Sequence, residues 1–339
     1  MRFLVELSGE NEALAAAELA SLLAHHGELR ATGPATPPGR WREVELPSEA
    51  AACSRIGRMA LFRQLLAPRP WPPPITTPGA HSLGTSGTAL RWLQAPTPDA
   101  PGRLDVLVEQ YRAAGGRPVL RDAERELRFW LEAGTVHCFE RLAEPDREAF
   151  ANRRMPRLPY QQPVSLAPKR ARALANLAAV EPGDRIVDPF VGTGSLLAEA
   201  ALLGGRCTGA DFSDRMVRGA ARNFEHLGIQ AERWLVGDAA ELAGPFPAWS
   251  FDAVLTDPPY GRASGSGGEP PAPLLARVLA AWEHCLVPDG RVALAVPEGS
   301  PHPLGGPWRC EVAVPDRVHR SLVREFRVYR RSGEASPGA

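Results

Sequence analysis

Lysine is almost absent from this chain of 339 residues, and Lys169 is its single example. Positive charge is therefore carried by arginine. The 39 basic side chains are balanced by 39 acidic ones, so that the formal net charge is zero. An excess of one sign, which would attract nucleic acid or a membrane to the whole surface, is missing. Bulk charge thus indicates no partner, and any charged recognition must be local.

Cysteine is also scarce. The five cysteines form no C-x-x-C pair and have no metal-ligand spacing with histidine, so we expect small core residues in a reducing compartment rather than a zinc site. No apolar run approaches the roughly 20 residues that a membrane helix needs. Glu6 and Glu10 interrupt the apolar start of the chain, which argues against a signal peptide. We therefore predict a cytoplasmic protein with no metal and no membrane span.

Residues 1–67 predict a ferredoxin-like domain. A strand over residues 2–7 precedes an amphipathic helix that Asn11 caps. Two short strands follow, the first of them "ELRAT" (28–32), and then a second helix and a last strand. The order βαββαβ is the ferredoxin-like arrangement.

A block rich in proline separates this domain from a second small α/β module over residues 68–150. In this module "RLDVLVEQY" (103–111) is expected to form a strand, and residues 126–142 are expected to form two strands across an Ala-Gly-Thr turn.

Residues 151–168 predict a basic linker rich in proline. No acidic residue occurs between Ala149 and Val180, and prolines keep the first part of this segment extended. One interpretation is a solvated linker followed by a helix, and the other is a linker that also contacts phosphates. The second interpretation assigns RNA binding to five side chains: Arg153, Arg154, Arg157, Lys169 and Arg170.

Residues 169–331 alternate strands with helices. Nearly continuous apolar strands that alternate with helices are typical of a parallel sheet covered on both faces. The last two strands predict an antiparallel finish to a sheet of seven. We therefore predict an α/β protein whose carboxyl-terminal domain has a Rossmann fold, with residues 332–339 as a disordered tail.

Four predicted strands of this domain end in an acidic residue: Asp188, Asp211, Asp238 and Asp257. Ligands of such sheets bind at the carboxyl ends of the strands. The first strand runs into "DPFVGTGS", whose glycines let the backbone pass close to a ligand and whose amides open a helix. Leu197 replaces the third glycine of the dinucleotide fingerprint, so we expect a ligand other than a dinucleotide.

S-adenosylmethionine fits this pattern. Asp211 is placed to meet ribose hydroxyls, Asp238 could accept from the adenine amino group, and the amides of the turn would face the methionine carboxylate. The predicted cofactor-binding residues are Asp188, Phe190, Gly192, Thr193, Gly194, Ser195, Leu196, Asp211, Phe212, Asp238, Ala239 and Asp257.

The motif "TDPPYG" predicts chemistry on an amine. The exocyclic amine of a nucleobase is a poor nucleophile, because its lone pair is delocalised into the ring. The Asp257 carboxylate and the Pro258 carbonyl could accept its two N–H groups and turn the lone pair toward a methyl donor. Tyr260 offers an aromatic face on which a base taken out of its helix can stack. We predict these three residues as catalytic.

"DPFVGTGS" together with "TDPPYG" resembles class I S-adenosylmethionine-dependent methyltransferases that act on amino groups. The whole layout, with "SLAPKRARALANLA" after the basic linker, resembles the THUMP-containing tRNA (guanine-N2) methyltransferases of the TrmN type. The resemblance implies that residues 68–150 are a THUMP-like RNA-binding module that docks the single-stranded 3′ end. It also implies transfer to guanosine 6 in the acceptor stem of tRNA. We expect a monomer, because no long unpaired apolar helix is predicted.

Other functions share part of this pattern. A ribosomal RNA guanine-N2 methyltransferase is the nearest alternative. A DNA adenine-N6 methyltransferase has both motifs but usually needs a target-recognition domain, and the residues after "DPPYG" suffice only to finish the sheet. A protein-glutamine methyltransferase more typically has Asn before Pro-Pro-Tyr. A non-catalytic RNA-binding protein on the same fold would not need the intact Asp211, Asp238 and Asp257.

Overall fold

The computed structural model describes residues 1–24, 39–71, 87–93, 104–132, 135–163, 165–260, 269–320 and 322–331. These fall into two compact units, of which the first comprises the described parts of residues 1–9, 27–57 and 62–145. The second comprises those of residues 10–26, 58–61 and 146–339. The "ELRAT" strand and the disordered tail that the sequence predicts lie outside the described residues. No helix in the described ranges is long and apolar enough to cross a membrane.

The strands of the described residues are β1 (Arg2–Leu7), β2 (Trp41–Glu45), β3 (Phe62–Arg69), β4 (Thr88–Trp92), β5 (Arg125–Glu132), β6 (Thr135–Ala143), β7 (Arg185–Asp188), β8 (Arg206–Asp211), β9 (Arg233–Val236), β10 (Phe251–Thr256), β11 (Leu286–Pro297), β12 (Trp308–His319) and β13 (Leu322–Arg331). The α-helices are α1 (Glu12–Ala24), α2 (Glu49–Ile56), α3 (Leu104–Ala113), α4 (Arg147–Asn152), α5 (Pro168–Leu177), α6 (Ser195–Leu202), α7 (Asp214–His226) and α8 (Pro271–Glu283).

The first unit is built on one six-stranded sheet in the order β2-β1-β3-β6-β5-β4. Its described strand pairs are antiparallel except for β4 and β5, which are parallel. The sheet includes strands from both modules that the sequence predicts before residue 150. The division into a ferredoxin-like domain and a THUMP-like module stays a prediction.

The strand predicted over residues 103–111 is wrong, because this segment forms helix α3. Its apolar residues Leu104, Leu107, Val108 and Tyr111 are spaced by three and four, so they share one helix face. Leu107 and Tyr111 are buried in a cluster with aromatic and aliphatic side chains of the sheet. The short valine-containing run suggested a strand, but tertiary burial of one helix face outweighs that local preference.

The second unit contains the sheet predicted from the sequence. Its order is β12-β13-β11-β10-β7-β8-β9. Strands β7 to β11 pair in parallel, whereas β13 is antiparallel to both of its neighbours. In this sheet β8 lies on one side of β7, and β10 lies on the other side. The strand order therefore reverses between β7 and β10, and a crevice opens at the carboxyl ends of these strands.

A buried carboxylate joins three elements of the second unit. Glu199 on α6 is only 1% exposed and accepts hydrogen bonds at both oxygens. Arg153 Nε lies 2.6 Å from its Oε1, and Arg172 Nη2 lies 2.8 Å from its Oε2. The Arg153 side chain, predicted from the sequence to contact RNA, is thus held in an internal ion pair.

The Glu199→Gln variant is expected to lose about 3–5 kcal/mol of folding stability. The amide keeps the shape of the side chain, but two largely buried guanidinium groups then lack a counter-charge. Denaturant titration followed by circular dichroism measures the free energy of unfolding. Glu232→Gln is the matched control, because the ion pair of Glu232 with Arg206 is solvent-exposed and contributes at most about 1 kcal/mol. Equal losses in the two variants would contradict the prediction.

Candidate active site

A cavity of about 950 Å³ lies where β7, β8, β9 and β10 end. Its wall includes all of the predicted cofactor-binding residues except Gly194. Of the predicted catalytic residues, Asp257 lines the cavity, whereas Pro258 and Tyr260 do not. The next residue after Pro258, Pro259, lines the cavity. The fold therefore brings the acidic strand ends and the glycine-rich turn together, while the roles of these residues stay predictions.

The glycine-rich turn has left-handed backbone at Gly192 (φ 52°) and Gly194 (φ 78°). Gly192 N donates to Asp211 Oδ2 over 3.0 Å, so the acid at the end of β8 holds the turn in place. A Cβ on Gly194 would lie 3.1 Å from Ala220 Cβ and 3.2 Å from a ring carbon of Phe224. Gly194 therefore permits close packing of α6 against α7 and does not form part of the cavity wall.

Asp188 connects the two strands that flank the crevice. Its Oδ1 accepts from Phe190 N over 3.0 Å and from the hydroxyl of Thr256, the last residue of β10, over 2.7 Å. The side chain is nearly inaccessible, and burial, with the neighbouring carboxylates Asp257 and Asp211, raises the pKa of Asp188 to about 7. Asp188 therefore fixes the loop after β7 relative to the end of β10.

Asp211 is held by backbone donors. Besides Gly192 N on Oδ2, Ser213 N donates to its Oδ1 over 2.9 Å. Burial raises the pKa of Asp211 above its ordinary value. The next residue, Phe212, leaves 71% of its surface exposed beside the cavity, which offers an aromatic face to a planar ligand.

Asp238 forms an ion pair with an arginine that sequence analysis did not single out. Arg277 Nη1 lies 2.9 Å from Asp238 Oδ1 and Nη2 lies 3.1 Å from Oδ2. This bidentate bond lowers the pKa of Asp238 to about 2, so the carboxylate is ionised at neutral pH. Arg277 also pairs with Glu269. Arg277 belongs to α8, and no local motif in the sequence signals that it reaches the acid after β9.

Asp257 follows β10 and lines the cavity. Within the described residues its Oδ1 is buried and has no hydrogen-bond partner. Its Oδ2 lies 3.5 Å from Arg324 Nη2. Burial raises the pKa of Asp257 to about 6, and the positive charge of Arg324 limits that rise. The carboxylate is therefore mostly ionised at neutral pH, and it belongs to a residue of the cavity wall.

Arg324 also holds Tyr260. Its Nε donates to the Tyr260 hydroxyl, and its guanidinium carbon lies 5.6 Å from the centroid of the tyrosine ring. Burial raises the pKa of the Tyr260 phenol. Arg324 stands opposite Pro297 in the β11–β13 register. Since β13 is antiparallel, its beginning lies at the edge where the parallel strands end. Sequence analysis missed Arg324 because only this pairing brings it to Asp257.

The segment before α5 contacts the glycine-rich turn. Ser165 Oγ lies 2.6 Å from Thr193 Oγ1, and Ser195 Oγ donates to Leu166 O over 2.5 Å. Gln162, Pro163, Ser165 and Leu166 all line the cavity. The start of "SLAPKRARALANLA" therefore completes one wall of the site.

The five basic residues assigned to RNA are not equivalent. Arg153 forms an ion pair with Glu199. Arg157 is exposed and donates to the side chain of Asn152. The other three, Arg154, Lys169 and Arg170, line a second and smaller cavity. The structure thus separates the predicted basic patch into an internal ion pair, a surface residue and a pocket.

A match to a known protein family lies within the second unit of the chain. Residues 156–301 match the model of the UPF0020 family, described as an RMKL-like methyltransferase domain. The tRNA (guanine(10)-N2)-dimethyltransferase of Methanothermobacter thermautotrophicus is 37% identical over 193 residues, which are 56% of this chain and 56% of that protein. The enzyme of the same name from Pyrococcus abyssi is 37% identical over 157 residues, which are 46% of each chain. The chain spans about half the length of the curated relatives it matches.

Among solved structures, TrmN from Thermus thermophilus aligns with a TM-score of 0.51 over 98% of this chain and 100% of that one. At 20% identity this similarity concerns the fold. The resemblance to guanine-N2 methyltransferases that the two motifs predict is confirmed by the curated relatives. The chain has the class I methyltransferase fold, and its residues 156–301 are similar to the UPF0020 family of RMKL-like methyltransferase domains.

Proposed function

We propose that this chain transfers the methyl group of S-adenosylmethionine to the exocyclic N2 of a guanosine in tRNA. The observation that carries the proposal is that Asp257, whose buried Oδ1 has no hydrogen-bond partner among the described residues, lines the same cavity as the glycine-rich turn. The names of the curated relatives, which are tRNA guanine-N2 enzymes, support it for the matched part of the chain.

The cavity residues suit S-adenosylmethionine, which supplies an electrophilic methyl group on its sulfonium when bound. The amides of the turn around Gly192 would hold the methionine carboxylate. Asp211 would accept from the ribose hydroxyls with the lone pairs that Gly192 and Ser213 leave free. Asp238 keeps acceptor capacity for the adenine amino group, although Arg277 occupies both of its oxygens.

Asp257 orients the amine and receives its proton. The ionised carboxylate would accept one N–H of guanine through Oδ1, while the Pro258 carbonyl accepts the second and directs the nitrogen lone pair toward the methyl donor. The nitrogen gains a positive charge as its new bond to the methyl carbon forms and the bond from that carbon to the sulfonium sulfur breaks, which leaves a neutral thioether. The Asp257 carboxylate is placed to stabilise that charge and to take the proton that restores the neutral amine.

The base reaches this pocket by flipping out of its helix and stacking on the Tyr260 ring. Arg324 positions that ring, and the two together would form one side of an Asp-Pro-Pro-Tyr pocket. A nucleobase needs no metal for this reaction, since the electrophile is already cationic.

Guanosine 6 of the acceptor stem is the proposed target, with a THUMP-like module over residues 68–150 holding the 3′ end. The resemblance of the layout and motifs to the TrmN type supports this proposal, and TrmN from Thermus thermophilus shares the fold. Position 10 is the second candidate, because the relatives similar in sequence carry that position in their names. We further propose that the protein acts as a monomer in the cytoplasm.

Methyl transfer from labelled S-adenosylmethionine into total tRNA, ribosomal RNA, DNA and protein, offered in parallel, tests the proposal. We expect label in tRNA, released on digestion as N2-methylguanosine. Transcripts with adenosine in place of guanosine 6 or guanosine 10 then identify the position, since the missing target abolishes incorporation. Label confined to ribosomal RNA, DNA adenine or protein would refute the assignment to tRNA.

A further inference from the structure

A second cavity of about 270 Å³ shares walls with the active site. Ser165 lines both cavities. Arg324 lines the smaller one and also contacts Asp257 and Tyr260. We call this second cavity the basic pocket, and its charged lining residues are Glu10, Arg154, Lys169, Arg170, Asp316, Arg317 and Arg324.

The basic pocket has an excess of positive charge. Five of its charged residues are basic and two are acidic. The two acids are already engaged, Glu10 with Lys169 and Asp316 with Arg170 Nε at 2.8 Å. Arg154 and Arg317 are exposed at the rim. An anion that entered would therefore meet guanidinium groups from helix α5 and from strands β12 and β13.

The backbone at the pocket adds to this preference. Helix α5 begins at its wall with Pro168, which has no N–H, and no side chain caps the amide of Lys169. The amino terminus of a helix carries partial positive charge and favours anions. A volume of 270 Å³ accommodates a phosphate group but is small for a nucleoside together with its sugar.

We propose that the basic pocket binds a backbone phosphate of the RNA substrate, next to the nucleotide that enters the active site. The inference rests on the proposed function for the identity of the anion. Because Arg324 lines the basic pocket and also contacts Asp257 and Tyr260, the phosphate would lie one side chain away from the residues that receive the base. Binding of the backbone there would hold the flipped nucleotide over Asp257.

The experiment compares the Arg154→Ala, Arg317→Ala double variant with the wild-type protein. Both side chains are exposed, so their removal leaves the core intact. Arg309→Ala is the matched control, because Arg309 is exposed on the same strand as Arg317 and does not line the pocket. The probe is an unmodified tRNA transcript with guanosine at positions 6 and 10, and Kd is measured across a range of salt concentrations, with KM and kcat beside it.

The double variant is expected to raise Kd and KM for tRNA about tenfold and to reduce the slope of log Kd against log salt by about one. The kcat at saturating tRNA and the Kd of S-adenosylmethionine should change less than about twofold, as in the control. Inorganic phosphate should compete with tRNA in the wild-type protein and lose this effect in the double variant. A salt slope and KM equal to those of Arg309→Ala would overturn the pocket inference.

The same measurements keep the two proposals apart. A wild-type protein that binds tRNA through the pocket but transfers no methyl group would refute the proposed reaction and leave the phosphate site standing. A wild-type protein that methylates tRNA with an affinity independent of Arg154 and Arg317 would refute the phosphate site alone.

Discussion

The Asp257→Ala variant is expected to transfer methyl groups at least about 10³-fold more slowly than the wild-type protein. Alanine removes the acceptor that orients the amine and the base that takes its proton. The Kd of S-adenosylmethionine should rise at most several-fold, since the glycine-rich turn, Asp211 and Asp238 are unaffected. Folding stability is measured beside these two effects, because the variant removes the carboxylate that lies 3.5 Å from the largely buried Arg324.

Single-turnover transfer and calorimetric titration with S-adenosylmethionine measure these two effects separately. Asp252→Asn is the matched control on the same strand, because Asp252 pairs with Arg185 and is not part of the cavity wall. This control should retain the wild-type rate. Complete loss of cofactor binding in Asp257→Ala would show that Asp257 holds the cofactor and not the acceptor amine.

The Arg324→Gln variant is expected to need a more alkaline pH than the wild-type protein to reach its full rate of methyl transfer. In the wild-type protein the pKa of Asp257 is about 6, so the rate should fall as the pH drops through that value and the carboxylate gains a proton. Without the charge of Arg324 at 3.5 Å, the protonated form of Asp257 is favoured. The pH at which the rate falls, which we call the acid limb of the profile, therefore rises by about one unit or more. The rate at neutral pH then falls, and it recovers at higher pH.

The pH dependence of kcat at saturating tRNA measures this shift without interference from weaker RNA binding. Arg324→Lys keeps the positive charge and should restore most of the wild-type profile. Arg330→Gln is the control on the same strand, because Arg330 pairs with Glu311 away from the cavity. An acid limb at the same pH in Arg324→Gln and in the wild-type protein would exclude Arg324 as a positioning residue for Asp257.

Local sequence patterns predicted much of the fold. The Asn11 cap precedes α1, where its side chain accepts from Leu14 N over 3.0 Å. The alternation after residue 169 predicted a seven-stranded sheet with an antiparallel finish, and this is confirmed. Such features are predictable because a cap, a turn and a strand depend on neighbours within a few residues. The helix at Leu104–Ala113 was mistaken for a strand, since a short apolar run suits both structures until its packing partners are known.

The acidic residues at the strand ends could be predicted as a group for a similar reason. Parallel strands of one sheet end at one edge, so Asp188, Asp211, Asp238 and Asp257 meet once the strands are identified. By itself, then, the sequence determined the sheet, the glycine-rich turn and the acids around one cavity.

Only the tertiary structure decided which arginines contact the acidic residues of the site. Arg324 reaches Asp257 through the pairing of β13 with β11, and Arg277 reaches Asp238 from α8. Arg153 and Arg154 are adjacent in the sequence, yet one is held by a buried glutamate and the other lines the basic pocket. An arginine has the same charge in either setting. Its partner is set by side chains that are distant in sequence, because electrostatic energy depends on separation in space and on burial.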